Sequence, residues 1–287
     1  MKKLSLLILP VVCALGMSAF LKAADPVKPL RVLIVAGGCC HDYDKQKMIL
    51  AEGLSARANV EVEIAYNPDK GTAPTFEAYQ KPDWFKNFDV IVHDECAAAI
   101  KDVAAVENIL AAHKAGVAGV NLHCAMHCYR VSADFGKPLA PGSEGAMWFD
   151  YLGLQSSGHG PQEPIAITFT DKSSPITSGM ADWTTMKEEL YNNVQDPKVF
   201  PNHKSLATGK QTVKNKDGTT KDVESVVVWS NEYGPKKTRV FSTTIGHNNE
   251  TVSDAKYLDL VARGLLWSCG KLGEDGKPLP GYEAKQK

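Results

Sequence analysis

The chain has 287 residues, with 32 basic against 33 acidic residues and a formal net charge of -1. So even a balance supplies no global field for nucleic acid or an anionic membrane surface, and a small neutral partner fits better. Seven cysteines do not make a disulfide scaffold in a chain this long, because that pattern belongs to small domains without an adequate core.

Lys2 and Lys3 precede an uncharged apolar run from Leu4 to Leu21, and Lys22-Ala23-Ala24 follows before Asp25. Basic, apolar and small-residue regions in this order mark residues 1–23 as a cleaved secretory signal, so the mature protein is expected in the periplasm or secreted. Pro10, Gly16 and Ser18 weaken the run as a membrane span, and no stable span is expected after cleavage. About 260 residues remain, enough for one domain with a sizeable core, assigned to 25–270.

Arg31 to Val35 is a β-branched apolar run stopping at Gly37-Gly38, which predicts a buried first strand running into a loop. A helix is expected over 44–58, with Met48, Leu50, Leu54 and Ala58 at threes and fours. Strands follow at 60–66 and 89–93, separated by a loop containing Pro68, Pro74 and Pro82. The spacing of Val106, Ile109 and Leu110 predicts a helix over 103–115, ended by Gly116 and followed by a strand at 117–122. Such alternation argues for a doubly wound, mostly parallel sheet between helical layers, a three-layer α/β sandwich. In the second half, 165–169, 223–229 and 238–245 read as strands, the last two as an antiparallel extension of the sheet. Residues 210–221 read as an exposed hairpin turn, 257–269 as an amphipathic helix, and 271–287 as a loose tail.

Polar residues gather at three strand ends: Cys39-Cys40-His41-Asp42, His93-Asp94-Glu95, and Asn121-Leu122-His123-Cys124. Ligands bind outside the carboxyl ends of such sheets, so these residues are the first candidates for a pocket. His123 falls at a sharp turn after a strand, where imidazole suits a general base, a metal ligand or a donor to a sugar hydroxyl. Cys124 is the alternative nucleophile if the register slips by one residue. His159 sits between glycines, His247 follows Gly246 past a strand end, and Glu189 and Tyr191 share a face if their segment is extended. His113 and His203 have only structural roles, on a helix face and in a polar loop. His123, His127 and the neighbouring cysteines also read as a weak soft-metal cluster. With Cys13 lost in the signal, six cysteines remain, and one of Cys39 and Cys40 is expected to bond one of Cys124 and Cys128 across adjacent loops.

Several pieces together resemble the ThuA-like (trehalose-utilisation) family: Gly37-Gly38 with His41-Asp42, Gly119 to Ala125, Gly158-His159, Glu188 to Tyr191, and Arg239 to His247 with the helix ending Gly264 to Trp267. The resemblance covers about Arg31 to Gly270 and implies a class I glutamine-amidotransferase-like, flavodoxin-type fold. It implies a pocket lined by His41, His123, His159, Glu189 and His247, and a sugar or keto-sugar as substrate. The clustered cysteines depart from the family's commoner pattern.

These residues frame three alternatives. The first is a carbohydrate-active enzyme with His123, His41 and Glu189 as catalytic acid/base groups, and Asp42, Asp94, His159, Tyr191 and His247 binding substrate. A divalent metal such as zinc on His41, His123, His159 and His247 would polarise a carbonyl instead. The second is a non-catalytic sugar-binding or accessory protein of the envelope. The third, an amidotransferase, needs a nucleophilic cysteine where His123 stands.

Overall fold

The structure, a computed structural model, describes residues 27–285 except residue 82. The predicted signal and its cleavage site lie outside the described residues. No described helix is long and apolar enough to cross a membrane.

The first half alternates as expected: β1 (Leu30–Gly38), α1 (Tyr43–Ser55), β2 (Val60–Asn67), β3 (Val90–Cys96), α2 (Val103–Lys114) and β4 (Ala118–Leu122). A short α3 (Met147–Leu152) leads to β5 (His159–Phe169), β6 (Trp183–Tyr191), β7 (Lys204–Lys214), β8 (Thr220–Tyr233) and β9 (Thr238–Thr243), then α4 (Asn249–Val252) and α5 (Ala255–Ser268). All nine strands form one sheet in the order β2-β1-β3-β4-β9-β8-β7-β5-β6. The five from β2 to β9 pair in parallel and the rest antiparallel. The parallel part has the flavodoxin-type order, whose ligands sit at the carboxyl edge.

Two apolar cores cover the two faces. Leu50, Leu54, Leu258 and Leu265 pack on one face of the sheet, and Ile109, Trp148, Phe149 and Trp229 build the core on the other. The three-layer arrangement follows from central strands that are buried on both sides, as β1 and β3 are. In α1 the buried stripe is Tyr43, Gln46, Leu50, Gly53 and Leu54, while Met48, expected inside, is 46% exposed.

Two expectations need correction. The stretch read as a turn over 210–221 contains the ends of two long strands, and the turn itself is confined to residues 215–219. β7 escaped notice because, apart from Leu206, its buried residues are small or polar: Ala207, Gly209 and Gln211. The terminal segment is not loose: Glu283 bridges Ala58, and the carbonyls of Tyr282 and Gly281 accept from the backbone and side chain of Asn59. These contacts close the bottom of the β1–β2 edge.

Candidate functional site

The carboxyl edge of the parallel strands carries three imidazoles. His41 follows β1, His123 follows β4 and His247 follows β9. Their rings meet edge to face, with centroids 4.7 Å apart for His41 and His123, 4.6 Å for His41 and His247, and 5.3 Å for His123 and His247. The antiparallel half supplies the carboxylate: Glu189 Oε2 on β6 lies 3.5 Å from His123 Nε2, 3.3 Å from His247 Nδ1 and 3.6 Å from His159 Nε2. His159 pairs with Tyr191 across β5 and β6, and the Tyr191 hydroxyl lies 3.4 Å from His123 Nε2. Period-two alternation puts Glu189 and Tyr191 on one side and Glu188 on the other.

Local backbone fixes these positions. His123 has φ +42°, an unfavourable conformation for a residue with a side chain, and it aims the ring out of the strand. Gly246 has φ +130°, and a side chain there would stand 2.7 Å from the Tyr257 hydroxyl and 3.5 Å from His123 Cβ. Buried Glu188 accepts the backbone N–H groups of Gly246 (3.3 Å) and His247 (3.0 Å), holding that loop from beneath.

Carbonyl oxygens only accept, so they fix the tautomers. His123 Nδ1 donates to Thr244 O at 2.7 Å, leaving a lone pair on Nε2 that faces Glu189, Tyr191 and His247. His41 Nδ1 donates to His247 O at 3.2 Å, and its Nε2 accepts the Cys124 thiol at 3.0 Å. Burial, with His123 and His247 beside it, lowers the pKa of His41 to about 3. Burial pushes the Glu189 carboxyl up, but the imidazoles of His123, His247 and His159 beside it outweigh burial and hold it well below the usual range. The hydrogen bond to Glu189 raises His247.

Other expectations fare differently. Asp42 pairs with Lys45 and accepts from Asn249, and Asp94 is buried with one oxygen unpartnered. Among the described residues neither bonds the histidine cluster. His93 and Glu95 turn to the opposite face of β3, where His93 Nε2 meets His113 Nε2 at 3.1 Å and Glu95 takes His93 Nδ1 (2.9 Å) and the Tyr129 hydroxyl (2.8 Å). That network is fully buried and structural. His203, also structural, bonds Gly153 O and Ser205.

The bond expected between the cysteine loops is absent. Cys39 is joined to its neighbour Cys40, while Cys96, Cys124, Cys128 and Cys269 are free. Cys124 meets the first loop through His41 rather than through a cysteine, and Cys128 accepts from Ala97 N and donates to Glu95 O. The Cys124 thiol is pushed well above its ordinary pKa by its hydrogen bond to Cys96 and by burial, which removes it as an activated nucleophile. Sequence reasoning gave no role to Glu188, and it passed over the stacking of His127 on Tyr191, rings 4.2 Å apart. The strand reading of 188–191 was the one signal for Glu188.

Residues 31–268 match the model of the ThuA family, described as trehalose utilisation. The chain belongs to the ThuA family. In fold it is similar to a ThuA-like protein from Parabacteroides merdae ATCC 43184, with TM-score 0.61 and 18% identity, over 90% of this chain and 98% of that one. A ThuA-like protein from Bacteroides uniformis ATCC 8492 is similar with TM-score 0.57 and 15% identity, over the same shares of the two chains. No curated protein matches the sequence. At such identities the likeness concerns fold, and a carbohydrate-related role for this ThuA protein rests on the family.

Proposed function

We propose that this ThuA protein is an exported enzyme that moves a proton on a sugar or keto-sugar at the His123–Glu189 cluster. The observation that carries the reading is one carboxylate within 3.6 Å of three imidazoles at the carboxyl edge of the sheet. In proton abstraction beside a carbonyl, the Nε2 lone pair of His123 takes the proton. Its Nδ1–H stays on Thr244 O, and Glu189 stabilises the imidazolium that forms. His159, with a side chain 40% exposed, is the group on the open side, suited to exchange protons with the substrate oxygen. His41 and Tyr191 position His123 from either side. Export rests on the pattern of residues 1–24 alone.

A metal-assisted version has its own support. His123 Nε2, His247 Nδ1 and Glu189 Oε2 form a triangle with edges of 3.3, 3.3 and 3.5 Å. A tetrahedral ion with bonds of about 2.0–2.1 Å has ligand–ligand edges of about 3.3–3.4 Å. The ligand nitrogens of His41, His123 and His247 lie within 4.8 Å of one another, so His41 is the fourth candidate donor. Bound there, a divalent ion would polarise the carbonyl as a Lewis acid.

The test is a turnover screen over glycosides and their keto derivatives, with metal analysis of the same preparation. Turnover that falls about a hundredfold in His123→Ala supports the enzyme. Sugar binding without turnover of any of these compounds contradicts it and leaves a binding protein.

A further inference from the structure

Beside the cluster lies a hollow that the acid/base reading does not use. Its volume is about 540 Å³, inside the range of roughly 300–1,000 Å³ usual for small-molecule sites. One wall is Gly158 and the start of β5 to Pro161, with Asn192, and the other is the β7–β8 hairpin, which contributes Lys214, Lys216 and Lys221. None of its lining residues is acidic. Nearby Asp222 is paired with Lys210 at 2.6 Å, and Asp217 accepts from the backbone and hydroxyl of Thr219. Among the described residues the three lysines have no carboxylate partner within 4.0 Å. Excess positive charge in a concave site concentrates anions.

A second observation points to a ligand. Gln211, 1% exposed, also lines the hollow, and its Oε1 has no hydrogen-bond donor. Its Nε2 is tied to the carbonyls of Pro161, Glu163 and Glu188, so the amide cannot turn to satisfy the oxygen. A Cβ on Gly160 would stand 2.9 Å from that oxygen, so the backbone of residue 160 can approach it closely only as glycine. Such a buried acceptor carries a desolvation cost that a hydroxyl donor would relieve. His159 joins the two regions, lining the hollow while its Nε2 faces Glu189.

We propose that this hollow is the subsite for an anionic group, a carboxylate or a phosphate, carried by the carbohydrate that reacts at His123 and Glu189. The proposal rests on the sugar-processing reading for the identity of the ligand's remainder. The lysines hold the anion, and a hydroxyl of the ring donates toward Gln211. His159 then lies between the bound anion and the reacting carbon.

The experiment titrates the intact protein with D-glucose, D-glucuronate and D-glucose 6-phosphate at about 0.02 M and about 0.5 M salt. At least one anionic sugar should bind about tenfold more tightly than glucose at low salt, since three exposed charge contacts sum to that order. The advantage should vanish at high salt and in the variant Lys214→Ala/Lys216→Ala/Lys221→Ala, whose fold survives because all three side chains are exposed. Preference for glucuronate alone assigns a carboxylate, and for glucose 6-phosphate alone a phosphate. Equal affinities, no binding of any of the three, or a preference that persists in the triple variant overturns the proposal. An anion preference without turnover keeps the subsite and rejects the enzyme. Turnover of an anionic sugar at a rate and affinity indifferent to the triple variant does the reverse.

Discussion

Two imidazole–carboxylate networks lie apart in the molecule, one at the carboxyl edge of the sheet and one on a face of β3. His123, His159 and His247 surround Glu189 at the carboxyl edge, where His159 reaches solvent. His93 and His113 join Glu95 beneath α2 and α3, with no exposure at any of the three. Both bring a carboxylate against histidine, so residue type does not separate a reactive site from a structural one. Access to solvent does. In the sealed network His113 Nδ1 is tied to Val117 O, and its Nε2 is spent on His93. In the open one His123 Nε2 lies 3.4 Å from the Tyr191 hydroxyl and 3.5 Å from Glu189, which the solvent-reaching His159 also meets.

The largest expected difference is in turnover. His123→Ala and Glu189→Gln should each lower it about a hundredfold or more with the fold retained by circular dichroism, whereas His113→Ala should leave it within about threefold. Similar losses from all three would erase the distinction between the networks.

Acid should act on the buried histidines next. Burial, with His93 beside it, lowers His113 to about 3, and burial lowers His203 to about 4. Each is a base whose folded pKa lies below its unfolded value near 6.5, so protons bind the unfolded chain preferentially. Their contribution is full above pH 6.5 or so and declines as pH falls toward about 4 and then about 3. Chemical denaturation across that window should show progressive loss, reduced in His203→Asn. Stability that is flat from pH 6.5 to 4 would contradict the sealed picture.

A smaller effect is expected from removing one sealed partner. His113→Ala strands His93 Nε2 and the Val117 carbonyl, at a cost of about 1–3 kcal/mol in unfolding free energy. The smallest expected effect sharpens the open site: Tyr191→Phe removes a hydroxyl 3.4 Å from His123 Nε2 and should change turnover by about tenfold or less.

The sequence made the parallel half readable because buried strands there are short β-branched runs broken by helices of regular spacing. It brought His41, His123 and His247 to one edge through the rule for strand ends, and Glu189 with Tyr191 through alternation. The same alternation explains an error, since His93 and Glu95 point away from the side that Asp94 faces, and only the fold reveals which side is which. The antiparallel half was harder. β6 carries Met186 outward at 62% exposure, and β7 keeps Gly209 and Gln211 inward, so hydropathy does not mark either strand's faces. The cysteine pairing was illegible for a different reason: proximity of loops does not determine where sulfurs turn, and His41 takes up Cys124.

The central claim, that His123 abstracts a proton beside a carbonyl with Glu189 at its side, is tested most directly by solvent exchange. Incubating the protein with a keto-glycoside in D₂O and following the carbon next to the carbonyl by NMR should show deuterium entering at a rate well above buffer. That exchange should be lost in His123→Ala and retained in His113→Ala. Exchange no faster than buffer, or equally fast in both variants, would contradict the account.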